Sequence, residues 1–368
     1  MPLRARHKRT LILRQFLISS VGALCLSPRD AHGGRWIHMD SSASAPVFYN
    51  LSSADTFFAH QFLEDRPNML SGWAPTPQAR YPDHVMWAWV PNSGQQLEQV
   101  TGSSVCATLN RLGLERLLFV GDPLSRQMFR SLLMIIQADQ IRVRVTKHAH
   151  FKDRSFKGQM HCPSGFVTLT FIENWYLGSP EFCGKDVMSA CDPWLPTYVK
   201  SDEATLLVVN TGAHHHNETT YKGVIDTWLQ ELNESWDAMS ADRRSNDCIY
   251  FRTTVPGHKN CAANTRPFDT PPPISDEHGW FRYPSYNSYA ALAMQNILPN
   301  MRMLDVYPMT VLRGDGHLAQ RARSQQLLKA GSAYAEPADL HSGDCLHYVL
   351  PGVPDWWNAF LFSELDAL

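Results

Sequence analysis

The stretch Arg116–Gln137, RLLFVGDPLSRQMFRSLLMIIQ, decides the fold. Its first five residues are a short apolar run that stops at Gly121-Asp122. Pro123 then sits where a first-turn helix proline belongs, and Leu124, Met128, Leu132 and Ile135 recur three or four apart. The stretch therefore reads as a buried strand, a polar turn and a helix over Leu124–Gln137. The pattern recurs downstream. Ala204–Val209 stops at Asn210-Thr211-Gly212, Cys248–Arg252 at Thr253-Thr254, and Met303–Val306 at Tyr307-Pro308, with helical patterns over Thr219–Met239 and Ser285–Ile297 between them. Repeated strand–turn–helix units predict an α/β fold, a three-layer α/β/α sandwich with a mainly parallel central sheet. Ligands of such sheets bind beyond the carboxyl ends of the strands, where these polar turns gather.

Composition bounds the function classes. The chain has 368 residues, of which 44% are hydrophobic and 18% charged, enough apolar material for one large domain or two small ones. A formal charge of −2 argues against nucleic acid as a partner. No uninterrupted apolar run has the length of a membrane span, which excludes a polytopic membrane protein. The eight cysteines are dispersed, without the tight pairs of a zinc or redox motif, and so point to disulfides and an oxidising compartment. Arg4, Arg6, Lys8, Arg9 and Arg14 precede a charge-free stretch from Gln15 to Pro28, the layout of a secretory signal. Residues 1–28 are read as a cleaved signal in preference to a membrane anchor, 29–80 as linker or stem and loop, and 81–368 as the packed domain. Sequons at Asn50, Asn217 and Asn233 are compatible with the secretory route.

The chemistry-bearing residues fall in the turns and near the C-terminus: Gly121-Asp122-Pro123, Asn210-Thr211-Gly212-Ala213-His214, Arg313-Gly-Asp315-Gly-His317, and Asp344-Cys345-Leu346-His347. Asp-x-x-His before a final helix is a workable acid–base pair. One turn of spacing lets the carboxylate reach Nδ1 of the imidazole and leaves Nε2 free to take a proton.

In these blocks the chain resembles the PC-esterase or trichome-birefringence-like family, a branch of the GDSL/SGNH hydrolase clan. The matching segments are FVGDPLSRQMFRSLL at Phe119–Leu133, VVNTGAHHH at Val208–His216, LDVYPMTVLRGDGH at Leu304–His317 and DCLHYVLPGVPDWWN at Asp344–Asn358. The resemblance implies an SGNH-hydrolase-like fold and acyl chemistry on carbohydrate: O-acetyl transfer to a glycan or polysaccharide acceptor from an acyl donor, or the reverse hydrolysis, in the Golgi lumen or on a secreted protein. It implies Asp344 as the orienting acid, His347 as the general base and Asn210 as an oxyanion or site-bordering residue; Gly121 and Asp122 in the turn after the first strand, and His214 after the Asn210 strand end, are read as further oxyanion or cleft residues. No metal or cofactor is expected.

The sequence departs from the family at the nucleophile, where Pro123 stands in place of serine. Proline has neither a hydroxyl to acylate nor a backbone N–H for an oxyanion hole, so two catalytic elements vanish together. Ser125 lies about 200° round the helix from position 123 and is a poor substitute. Three explanations stand: a glycan-binding pseudoenzyme, a His347-assisted transfer without a covalent intermediate, or a sequence in which a serine codon has been misread.

The remaining features have blander readings. Adjacent His214, His215 and His216 point in different directions, and with His148, His150 and His161 are read as surface or crevice groups rather than a metal site. Arg313 is read as pairing with Asp315 or a carbonyl, and Asp122 as shaping its turn. Trp356, Trp357, Phe360 and Phe362 are read as core, while Trp87 and Trp89 are open to sugar stacking. The resemblance also implies a Cys261–Cys345 disulfide. Because Val349 replaces a family cysteine, one unpaired thiol is expected, at Cys106.

Overall fold

A computed structural model of the chain describes residues 33–39, 83–94, 97–147, 155–178, 191–318 and 344–368. The expectations for the N-terminal 28 residues, Asn50, His148, His150 and Cys183 lie outside these residues. Two strands, β1 (Gly34–His38) and β2 (Trp87–Pro91), form an antiparallel ribbon with Trp36 opposite Trp89. After α1 (Gly102–Arg111), the main body runs β3 (Arg116–Gly121), α2 (Pro123–Ala138), β4 (Val143–Lys147), β5 (Phe156–Cys162), β6 (Gly165–Glu173), β7 (Thr205–Val209), α3 (Glu218–Ala238), β8 (Cys248–Arg252), α4 (Tyr283–Ile297), β9 (Arg302–Leu304) and α5 (Val353–Asp366). The central sheet has seven strands in the order β4-β5-β6-β3-β7-β8-β9.

β3 is buried along its whole length because both of its faces are covered. Leu117 and Phe119 join one apolar layer with Leu124, Met128 and Leu132 of α2 and Trp357 and Leu361 of α5. Leu118 and Val120 point to the opposite layer, where Tyr221, Ile225, Trp228 and Leu229 of α3 and Tyr286 and Ala290 of α4 pack. Alternation along the strand thus builds the two helix layers, each fully buried Leu, Phe or Val contributing about 1.5–3 kcal/mol. β6, β3, β7, β8 and β9 run parallel to one another, so the carboxyl ends of β3, β7 and β8 lie along one edge.

The sheet is mainly parallel, as the sequence predicts, and β5 pairs antiparallel with both β4 and β6 at one side of it. β5 alternates buried and half-exposed residues and carries Lys157, Gln159 and His161, so its apolar signal is diluted. Within the stretch read as linker, Gly34–His38 is a strand, and it carries Trp36 into the core against Trp89 and Trp356 at 5.4 and 5.7 Å. Trp89 is therefore a core residue, 1% exposed, and not a sugar platform. Cys106 is not a free thiol: it is bonded to Cys162, joining α1 to β5. Cys191 and Cys248 are also disulfide-bonded, and no cysteine among the described residues is free. No helix among the described residues is long and apolar enough to cross a membrane.

Candidate active site

The turn after β3 is built by hydrogen bonds that explain each of its residues. Asp122 caps α2, its Oδ1 accepting the Ser125 N–H at 2.9 Å. Gly121 is required because a Cβ there would collide with the Ser125 side chain. Pro123 occupies the first helical position and is only partly covered. Arg252, at the end of β8, donates from Nη2 to Ser125 Oγ at 3.0 Å and lies 3.5 Å from Asp122 Oδ1. Its guanidinium is buried over the Trp357 ring at 5.0 Å, and burial lowers its pKa from the ordinary arginine value against the opposing Asp122 charge. Ser125 Oγ accepts from Arg252 and donates to Asp122 at 3.3 Å, so this hydroxyl is held inside the fold.

The turn after β7 is similarly committed. Asn210 Nδ2 donates to the Arg252 carbonyl at 2.8 Å and lies 3.2 Å from Thr254 Oγ1. Both N–H groups of this amide are used in tying β7 to β8, so Asn210 does not offer a donor to the cleft as expected of an oxyanion residue. Thr254 packs against Gly212, where any Cβ would meet its side chain. The three histidines separate. His214 stacks on Trp175 with ring centroids 3.8 Å apart and faces the cleft, as does the exposed His216. His215 is buried with Nε2 2.9 Å from Thr211 Oγ1.

Burial, and then the neighbouring His214 and His216, push His215 down to about 4 from an ordinary 6.5. Its neutral form is the native one, while the unfolded chain takes up a proton below pH 6.5. Stability therefore falls as pH drops from 6.5 toward 4, by on the order of 3 kcal/mol at most, and the penalty levels off below 4. Urea unfolding of wild type and His215→Gln at pH 7 and 4.5 checks this: the substitution should remove much of the loss between the two pH values.

The loop before α5 brings Asp344 and His347 together. Asp344 Oδ2 and Oδ1 lie 3.0 and 3.2 Å from His347 Nδ1, and Oδ1 also accepts the backbone N–H groups of Leu346 and His347 at 3.2 and 3.0 Å. Burial opposes ionisation of Asp344, but hydrogen bonds and charge from His347 overcome it and hold the carboxyl well below the usual carboxylate range. His347 Nε2 is buried and has no hydrogen-bond partner. The loop is fixed to the end of β8 by the Cys261–Cys345 disulfide and by the His258 N–H donating to the Cys345 carbonyl at 3.0 Å. It is fixed to α2 by Gln127, whose Oε1 accepts the Tyr348 N–H at 3.1 Å and whose Nε2 donates to the Tyr348 carbonyl at 2.6 Å. Gln127 is one turn below Pro123 on the same helix face, so the residue after His347 is held against the face that presents position 123.

Asp344, Cys345 and Leu346 line an open cleft of about 1300 Å³ with His214, His216, Lys259, Asn260, Trp280, Arg282 and Tyr283. Burial, and then the Asp122 charge, raise the Tyr283 phenol above the ordinary tyrosine value. Among the described residues no cluster of three or more His, Cys, Asp or Glu could hold a metal ion. Arg313 and Asp315 form a buried two-bond ion pair at 2.7 and 3.0 Å, and Arg313 also donates to the His84 carbonyl at 2.6 Å beneath Trp36. The closing aromatics are core: Trp357, Phe360 and Phe362 are buried. Asp355 accepts from Ser131 Oγ and Asn358 Nδ2 donates to the Met128 carbonyl at 2.9 Å, clamping α5 to α2.

Sequence reasoning missed Gln127, Arg252, and the cleft residues Lys259, Trp280 and Tyr283. Gln127 carries a signal, a polar residue one turn after Pro123 on the apolar face of α2. Arg252 carries another, a cation closing an apolar strand. Lys259 and Trp280 lie in segments without periodicity, and Tyr283 is the first residue of α4, ahead of the Ser285–Ile297 pattern.

The model of the PC-esterase family, described as a GDSL/SGNH-like acyl-esterase family found in Pmr5 and Cas1p, matches residues 187–364. The chain is 21% identical to protein trichome birefringence-like 3 of Arabidopsis thaliana over 77% of this chain and 70% of the relative. It is 22% identical to xylan O-acetyltransferase 3 of Oryza sativa subsp. japonica, covering 95% of this chain and 78% of the relative. With protein trichome birefringence-like 9 of Arabidopsis thaliana it shares 25% identity over 97% of this chain and 88% of the relative.

Proposed function

We propose, for a chain that belongs to the PC-esterase family, that it is a carbohydrate O-acyl transferase-like or acylesterase-like protein of the secretory pathway whose covalent route is switched off at Pro123. What remains is a glycan-binding cleft with its acid–base half in place. One observation carries this reading: His347 is oriented by an ionised Asp344 and its Nε2 is unpaired, while the helix start that should present a hydroxyl presents a proline. Relatives named as xylan O-acetyltransferases support a glycan acceptor and an acyl donor. The paired cysteines support an oxidising compartment, the Golgi lumen or the outside of the cell.

In the covalent route a hydroxyl at position 123 would attack the donor carbonyl while Nε2 of His347 takes its proton. Asp344 would stabilise the resulting imidazolium, which returns the proton to the leaving oxygen. The acceptor hydroxyl, or water, would then be deprotonated by the same nitrogen and take the acyl group from the serine. Pro123 removes the first attack and leaves every later role assigned but idle. His347 could still act as base for direct attack by the acceptor on the donor. Measurement separates the two readings: acyl transfer by the wild type that is abolished in His347→Ala would establish the direct route and overturn the silent one.

Asp344→Asn should leave the fold intact and, in a protein given a serine at 123, return activity nearly to background. The neutral amide no longer stabilises the imidazolium and can face His347 with the wrong hydrogen-bonding partner, an exchange worth on the order of 10⁴-fold in a serine triad. Turnover of a chromogenic acetyl ester, compared between the two proteins, checks it.

A further inference from the structure

Behind the acid–base loop lie two buried imidazoles that the reaction does not use. His258 Nδ1 and His317 Nε2 are 2.7 Å apart. The outer nitrogens face carbonyls, His258 Nε2 that of Val311 at 2.8 Å and His317 Nδ1 that of His347 at 3.2 Å. A carbonyl oxygen only accepts, so both outer nitrogens must carry hydrogen to make these bonds. In neutral rings that leaves a bare lone pair on each inner nitrogen, and two lone pairs do not sit at 2.7 Å. One more proton between them resolves the conflict. If the pair is neutral, the inner bond survives only by stripping the hydrogen from one outer nitrogen, His317 Nδ1 or His258 Nε2, which turns that nitrogen's contact with the His347 or Val311 carbonyl from attraction into repulsion.

We propose that His258 and His317 are positioning residues for His347, acting as a pair that holds three protons on four ring nitrogens, the third shared between the rings. This rests on the reading of His347 as the site's base. The shared proton makes His317 a donor to the His347 backbone, alongside the Leu318 N–H at 3.0 Å. It also places a positive charge behind the catalytic imidazole, which favours its neutral, proton-accepting form and the ionised form of Asp344. The surroundings are mixed. Burial opposes the extra proton most and holds both imidazoles below the ordinary histidine value, His317 well below it; the His258 charge acting on His317 and the charges of Arg313 and His347 add to this, while Asp315 and Asp344 and the carbonyl hydrogen bonds favour the proton. Phe268 and Tyr348 stack on the two rings, the latter at 4.4 Å, and contribute no charge. The geometry outweighs burial here, because removing the proton breaks a hydrogen bond in a site that water does not reach.

The test reads protons directly and needs no activity. Histidine-selective ¹⁵N labelling of the full chain, with long-range ¹H–¹⁵N spectra at pH 6 to 7.5, should show His317 Nδ1 protonated and three protons on the pair. Two protons on the pair throughout that range, whichever outer nitrogen is bare, overturn the proposal. His258→Gln, which supplies a neutral side-chain amide in place of the imidazole, should move the His347 titration upward. An unchanged His347 titration in a folded variant also overturns it. If the variant fails to fold, the wild-type proton count decides alone. If instead Pro123→Ser proves inert while three protons are found, the catalytic reading fails and the proton count stands.

Discussion

Pro123→Ser is expected to turn over acetyl esters on the order of 10³-fold or more faster than the wild type. The size follows from what is lost when a triad nucleophile is removed: the remaining residues act as a unit and contribute little without it. The structure is ready for the substitution. Position 123 opens α2, where the backbone N–H is free of any intrahelical partner, so a serine adds both a hydroxyl and an oxyanion donor without breaking a bond. Asp122 continues to cap the helix through the Ser125 N–H, and Gln127 continues to hold Tyr348 against it. Loss of proline's rigidity costs under about 1 kcal/mol. Ser125→Ala in the same background should leave the new activity in place, since that hydroxyl is bound by Arg252 and Asp122.

The second large effect is on stability. Asp315→Ala should destabilise the protein by about 3–5 kcal/mol, because it leaves Arg313 charged, fully buried and without its carboxylate. Arg313 also reaches the His84 carbonyl and lies 4.3 Å from the Trp36 ring, so the β1–β2 ribbon should loosen first. Replacing both partners, Arg313→Met with Asp315→Leu, should cost much less than the single change. Chemical denaturation of the three proteins measures the difference, and a double variant as unstable as the single one would show that the pair acts through its shape instead of its charge.

The layered sheet was legible because β3, β7 and β8 are buried on both faces and end in polar turns, and burial of that kind writes an unbroken apolar run into the chain. β4 and β5 were not, because strands toward the edge carry water-facing Lys157 and Gln159 and look like loop. Asp344 and His347 stood out because three residues of spacing suffices to pair them. The expected oxyanion role of Asn210 could not be checked in sequence: which way an amide points depends on the Arg252 carbonyl and Thr254 hydroxyl, brought to it by a strand crossover. The Cys106–Cys162 pairing was hidden for a related reason, since Cys162 lies on β5, whose place in the sheet the apolar pattern does not announce.

The proposed function holds that position 123 alone, by lacking a hydroxyl and a backbone N–H, silences this site. It is tested most directly by mass spectrometry of Pro123→Ser quenched early in reaction with an acetyl ester. The peptide carrying position 123 should gain one acetyl group on that serine, and Pro123→Ser combined with His347→Ala should gain none. An active Pro123→Ser protein acetylated at another residue, or equal labelling with and without His347, would contradict it.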